Sequence, residues 1–600
     1  MTNNNTSQKR SKKAAFFRLA GYLFRHKGYV AAAFALMLVS NLLALLGPSL
    51  SAKALNAIDL GAGKVDMETV TYNVVLMVIV YAASAAMSYM LAALLVKLGQ
   101  KITYTLRKEV FDHLLELPAG YFDTHQTGDI VSHISYDIDT VNATLSHDLL
   151  QICASVVTVV GSLGYMVYIS PVLISVFAVT VPISILFTRY KTKRTRPLFK
   201  RRSAKLGELN GYAEEMLSGQ RTIRIYGREE DVCESFDSRN ADSCAAYYEA
   251  DYHGAIIGPG VNFINNLSVS LVTLLGGIFF MLSLTGNIGA ASVLFLNLGD
   301  LSAFVQYSRK FAGPINEFAN ILADLQSALA AADRIFGILD TAPEKPDESD
   351  ATVLSDVKGE VDIHSVTFGY DSENPVIKDM SVHVPAGSVT AIVGPTGAGK
   401  TTLINLLMRF YDVDDGGITV DGKDIRDYTR DSLRKAYTMV LQETWLFGGT
   451  IAENIAYGKE NATREQIERA AKEAHIDTFI NTLPDGYDTV VTDNGVSISK
   501  GQKQLITIAR AFLADAPMLI LDEATSNVDS RTEKNIQSAM RALMEGRTCF
   551  VIAHRLSTIK EADNILVMRD GRITEQGTHD SLMEQGGFYA SLYNSQFDSN

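Results

Sequence analysis

Before about residue 311 the chain carries six apolar runs, at 29–46, 70–96, 149–168, 171–187, 256–284 and 291–311, each close to the roughly 20 residues that cross a bilayer as a helix. Soluble helices seldom run this long without charge on one face, so core helices of a large soluble protein are the weaker reading. Lipid offers the backbone no hydrogen bonds, so each run must satisfy its own as a helix. The expectation is an all-α, six-helix transmembrane domain. Its orientation follows from lysine and arginine. The stretch after the fourth run holds Arg189, Lys191, Lys193, Arg194, Arg196, Lys200, Arg201, Arg202 and Lys205, and the amino end holds Lys9, Arg10, Lys12 and Lys13, which belong on the cytoplasmic side. The connections at 60–68, 169–170 and 285–289 hold a single lysine, Lys64, and face outward.

The excursions at 97–148 and 188–255 are too long for structureless loops. Leu106, Val110, Phe111, Leu114 and Leu115 recur at helical spacing, so the spans are expected to continue as helices into the cytosol. The basic stretch serves equally as a solvated face beside lipid headgroups. Polar residues inside the spans are candidates for a conduit, because charge facing lipid costs several kcal/mol. They include Asp148, Asn262, Asn265, Asn266, Asn297 and Asp300, with Phe304, Tyr307 and Phe311 continuing the Asp300 face. Asn297, Asp300 and Phe304 are the expected cavity residues; interhelical hydrogen bonding is the rival reading for the asparagines.

The second half has another character. A Pro- and Asp-rich linker at 341–358 precedes a mixed apolar and charged region of the kind a soluble α/β domain shows. There Gly394, Pro395, Thr396, Gly397, Ala398, Gly399, Lys400 and Thr401 form G-x-x-x-x-G-K-T, followed by Thr402. An apolar strand leads in and a helical pattern leads out, the context in which such a loop wraps backbone N–H groups around phosphate, with Lys400 on the outer phosphates and the Thr401 hydroxyl on Mg²⁺. ATP and Mg²⁺ are the implied cofactors, bound in the cytosol. The cytoplasmic helix tips near 121–138 and 210–228 are the natural docking points on this half. A second apolar strand, 517–521, ends in Asp522 and Glu523, suited to holding the Mg²⁺ shell and to orienting or deprotonating the attacking water. A third, 548–553, delivers His554 toward the terminal phosphate. Glu523 and His554 are the expected catalytic pair.

With these motifs in place, residues 359–595 resemble the nucleotide-binding domain of an ATP-binding cassette transporter, and the chain after its first 14 residues resembles a half-transporter exporter of that family. The resemblance implies that Tyr370 stacks on adenine, that Gln442 links Mg²⁺ to the membrane helices, and that Asp529 lies in the loop crossing to a partner cassette. It also identifies Ser499, Lys500, Gly501 and Gln502 as the family's signature, with lysine where the pattern has glycine. That motif opens a helix, whose N–H groups favour phosphate, and in the family the phosphate belongs to ATP held by the opposite subunit. A lysine there disturbs close backbone approach while adding charge. Because the chain's own phosphate loop, Asp522, Glu523 and His554 are intact, the asymmetry implies a non-identical second half-transporter; a homodimer that tolerates Lys500 is the alternative.

The expected architecture is therefore 1–28, a cytoplasmic amino end with an interfacial helix; 29–340, the transmembrane domain with cytoplasmic extensions; the linker at 341–358; and 359–600, an α/β P-loop NTPase domain. The expected function is ATP-driven export of amphipathic drugs or lipids from a cell membrane by alternating access. A lipid flippase, peptide exporter or siderophore importer is the alternative on the same architecture, and a soluble cassette ATPase a distant one. A formal charge of −13 argues against a nucleic-acid partner. Cys153, Cys233, Cys244 and Cys549 have neither paired nor metal-like spacing. The polar amino end lacks a cleavable secretory pattern, so the first span is expected to stay as an anchor.

Overall fold

Met67–Glu116 runs for 50 residues as one helix, about 75 Å at 1.5 Å per residue, more than twice the roughly 30 Å hydrocarbon thickness of a bilayer. The extension of the spans into long helices is thus a property of the molecule. The computed structural model describes residues 12–59, 64–285, 292, 294–371, 373–442, 444–491, 498–522, 529–552 and 559–597. The chain folds as two compact units, 1–115 with 127–341, and 116–126 with 342–600.

The first unit is helical. Among the described residues five helices are long and apolar enough to cross a membrane: Lys27–Asn56, Met67–Glu116, Thr127–Ile169, Ile174–Ser218 and Glu229–Leu284. The sixth expected span differs. Its helix starts at Leu298 and continues to Leu339, and Asp300, Arg309 and Lys310 interrupt its apolar character. Asn297 is the exposed residue at its N-cap, and Asp300 sits in the first turn, where a carboxylate complements the positive end of the helix dipole. Phe304 and Tyr307 are fully buried, in a core with Leu45, Met166 and Val272. Tyr307 stacks on Tyr165 at 4.8 Å and donates to the Leu45 carbonyl at 2.6 Å. Packing, rather than exposure to a conduit, occupies Phe304 in this arrangement.

Polar ties hold the helices together within the spans and in their extensions. Ser40 meets Ser84 and Ser88 across two helices. Buried Asp137 takes two hydrogen bonds from Arg334, at 2.8 and 2.5 Å, and a third contact from His133 at 2.7 Å. The amphipathic helix Lys12–Arg25 buries Ala15, Leu19 and Tyr22 and exposes Phe17 and Phe24. Tyr22 and Arg25 both donate to Glu109, and Arg18 pairs with Asp340.

The second unit is built on two sheets. In the larger, the parallel strands Tyr437–Val440, Met518–Asp522, Thr548–Ile552, Val389–Val393 and Asn564–Arg569 lie side by side in that order, closed by antiparallel Arg572–Gly577. The smaller is antiparallel and contains Val361–Phe368, Ile377–Val384 and Asp415–Val420. Val389–Val393 alternates between two cores, Ala391 and Val393 facing one and Ile392 the other, as a strand covered on both faces must.

The segment expected as a linker is held to this unit, which includes residues 342–600. Glu344 pairs with Arg434 at 2.5 Å and Asp347 with buried Arg430 at 2.9 Å. Arg430 also donates to the Lys345 carbonyl at 2.7 Å. The segment is strapped along the helix Arg430–Lys435 by charge-assisted bonds. The short helix Ala119–Thr124 belongs to this unit too: Asp123 accepts from Tyr411, whose ring lies against Gly120. The other expected tip forms the helix Gln220–Tyr226 in the first unit, with Ile225 and Tyr226 exposed.

Candidate nucleotide site

The phosphate loop leaves the strand Val389–Val393 and enters the helix Lys400–Leu407. Its glycines have geometric reasons. A Cβ on Gly394 would stand 2.2 Å from the Met568 carbonyl oxygen, and Gly399 holds φ at +101°, a region side chains avoid. The loop thereby turns back over the helix N-terminus, where unpaired N–H groups and the dipole favour phosphate. Lys400 Nζ donates to the carbonyls of Gly394 and Pro395 at 2.7 and 3.0 Å. Burial lowers its pKa, and the Asp522 carboxylate opposes that shift. The ammonium is thus half-desolvated and ready to be worth more to a phosphate than it would be in water.

Strand register assembles the rest. Leu521 pairs with Val440, Asp522 with Ile552, and Ile552 with Ile392. The strands leading to Gln442, Asp522 and the phosphate loop therefore all end at one edge, where ligands of open α/β sheets bind. Thr401, Gln442 and Asp522 offer only oxygen donors, the set a hard divalent ion such as Mg²⁺ takes. Glu523 and His554 lie outside the described residues; the strands preceding them, Met518–Asp522 and Thr548–Ile552, are neighbours in register.

Tyr370 stands two residues beyond the strand Val361–Phe368, 53% exposed. It donates to Thr402 Oγ1 at 3.2 Å and accepts from Asn405 at 3.4 Å. The ring is set edge-on to Phe368 and Tyr411, at 5.2 and 5.1 Å. An aromatic face held beside the phosphate-loop helix can stack on a base. Tyr411 is a site residue that sequence reasoning missed. It touches both Tyr370 and the segment containing Asp123, and burial and then Asp123 raise its pKa. Its only signal was an aromatic pair, Phe410 and Tyr411, shortly after the phosphate-loop helix.

The altered signature has its own geometry. Ser499 caps the helix Lys500–Ala514 in a reciprocal box, its Oγ accepting from Gln502 N at 3.3 Å while its N donates to Gln502 Oε1 at 2.9 Å. Lys500 is the first helical residue and is exposed; Gly501 is buried. Lysine at this position has an ordinary helical backbone, so it needs no strained conformation. Asp529 caps Ser530–Met544, accepting from the N–H groups of Arg531 and Thr532, which hold its carboxyl below the usual range.

Residues 30–302 match the family model described as ABC transporter transmembrane region, and residues 377–526 the model described as ABC transporter. The chain is 41% identical over 596 residues to the ABC transporter ATP-binding protein YfiC of Bacillus subtilis (strain 168), covering 99% of this chain and 96% of that protein. It is 44% identical over 528 residues to the fatty acid ABC transporter ATP-binding/permease protein of Mycobacterium bovis, covering 88% and 82%. With the ATP-dependent lipid A-core flippase of Escherichia coli (strain K12) the identity is 36% over 543 residues, covering 90% and 91%. Among solved structures, a bacterial Atm1-family ABC exporter with ATP bound superposes with a TM-score of 0.77 at 30% identity, covering 95% and 98%.

Proposed function

We propose, from the premise that this chain belongs to the ABC transporter family, that it is one half of an exporter moving a lipid-like amphiphile out of the cytoplasm. ATP hydrolysis coupled to transport across a membrane is its activity. The observation that carries the reading is the convergence of the phosphate loop, Asp522 and Gln442 on one sheet edge, in a chain with membrane-length apolar helices. Relatives named for fatty acid and lipid A-core transport support a lipid cargo. Lysine and arginine placement supports a cytoplasmic ATP-binding half.

In the proposed cycle Lys400 and the loop N–H groups hold the triphosphate, Tyr370 the base, and Thr401, Gln442 and Asp522 the Mg²⁺. That ion, when bound, neutralises charge on the transferring phosphate. Glu523 orients or deprotonates the attacking water and His554 contacts the terminal phosphate. Closure of two cassettes on ATP shifts the membrane helices toward an outward-open arrangement, and hydrolysis releases it.

Each hydrolytic site is a composite, completed by the partner's signature helix, and Asp529 supports the loop crossing between cassettes. Lys500 extends a flexible cation from the helix tip that the partner's nucleotide would meet, which supports two unequal sites and a non-identical partner subunit with an unaltered signature. Transition-state contacts at the site receiving Lys500 are misplaced, because catalysis there depends on positioning. ATPase activity of this chain purified alone, compared with its co-purified complex, tests the reading. Low activity alone and cooperative activity in the complex are expected; vigorous cooperative turnover by the chain alone rejects the non-identical partner.

A further inference from the structure

Arg309 lies about 17 Å along the helix from Leu298, inside the span expected at 291–311. A Cβ on Gly276 would be 2.4 Å from Leu301 Cδ1, so those positions face each other. Consecutive spans run in opposite directions, which puts Arg309 level with Val269 and Ser270. The guanidinium is exposed, and among the described residues no hydrogen bond, ion pair or ring contact engages it. An unpaired charge within a span is expensive and is a mark of function.

Beside it runs a groove of about 890 Å³ on the helix Ile257–Leu284, bounded by Val269, Leu274, Gly277, Ile278 and Met281 and ending at Arg309. One end is cationic and, apart from the hydroxyls of Ser270 and Thr273, the remainder is apolar. The size is within that of small-molecule sites, and the guanidinium fork matches a carboxylate or phosphate in two parallel bonds. We propose that this groove holds the acyl chain of an anionic amphiphile while Arg309 grips its headgroup, so that the exporter selects anionic over neutral or cationic lipids. The proposal rests on the lipid-export reading and names its substrate class.

The test uses the complete complex in neutral-lipid vesicles, titrated with oleate, oleyl alcohol and oleylamine, with ATPase stimulation expressed relative to each variant's own rate without amphiphile. Oleate is expected to stimulate at concentrations at least tenfold below the other two. Arg309→Gln raises the oleate requirement at least tenfold, and Arg309→Lys recovers most of the loss. A Cβ on Gly277 meets no atom within 4 Å, so Gly277→Leu fits the fold and fills the groove, and it too raises the oleate requirement at least tenfold. Equal stimulation by all three amphiphiles removes the proposal and leaves the lipid-export reading standing. An unchanged oleate response in Arg309→Gln or Gly277→Leu overturns the site. No response to any amphiphile overturns both.

Discussion

Lys400 illustrates how burial and geometry act on one side chain. Its ammonium is drawn onto two loop carbonyls and made less basic by burial. Lys400→Ala should raise the dissociation constant of a labelled ATP analogue at least tenfold, about 1.4 kcal/mol. The lowered pKa adds a pH signature: only the charged amine attracts phosphate, so ATP affinity should begin to fall, as pH rises, below the ordinary lysine range, and the fall should vanish in Lys400→Ala. Titrations at several pH values check it. Tyr370→Ala should weaken binding by about 0.5–1.5 kcal/mol through lost stacking, whereas Tyr370→Phe, which sacrifices only the hydroxyl's bonds with Thr402 and Asn405, should stay near wild type. The phosphate loop was legible in sequence because its function requires fixed spacing. The pairing of Tyr411 with Asp123 was not, because the two are 288 residues apart and either residue alone is an ordinary surface side chain.

At the scale of elements, the strap at 342–347 shows what composition leaves open. Proline and aspartate mark a linker but not its partners, and each carboxylate meets an arginine more than eighty residues later. Arg430 is 7% exposed and faces Asp347, Asp412 and Glu344; Arg430→Ala removes charge-assisted bonds to these half-buried carboxylates and should cost about 2 kcal/mol. The midpoint for thermal loss of ATPase activity should drop by roughly 4 °C or more. Arg464→Ala, on an exposed pair with Asp488 and Glu468, should change stability by less than about 1 kcal/mol. Equal shifts for the two variants would refute the structural role of the strap. Long helices were legible from apolar length and basic flanks. The burial of Phe304 was not, since aromatics at helical spacing serve a core and a conduit equally, and only the stacking of Tyr165 on Tyr307 and the bond to Leu45 decide where that face points.

For the whole molecule, the proposed non-identical partner implies two unequal hydrolytic sites, one formed by this chain's intact phosphate loop and the other receiving its altered signature at Lys500. Restoring glycine with Lys500→Gly should raise turnover at the site it completes and leave this chain's own nucleotide affinity unchanged, measured by single-turnover hydrolysis in the complex. The function as a whole reduces to whether hydrolysis by this polypeptide moves lipid. The direct measurement is ATP-dependent movement of a fluorescent fatty acyl lipid across proteoliposomes holding the complete complex, with and without Glu523→Gln. Movement that requires ATP is expected, abolished in the variant, which should still bind ATP while hydrolysis falls about 10²-fold or more. Lipid movement that proceeds without ATP, or at an undiminished rate in Glu523→Gln, would contradict it.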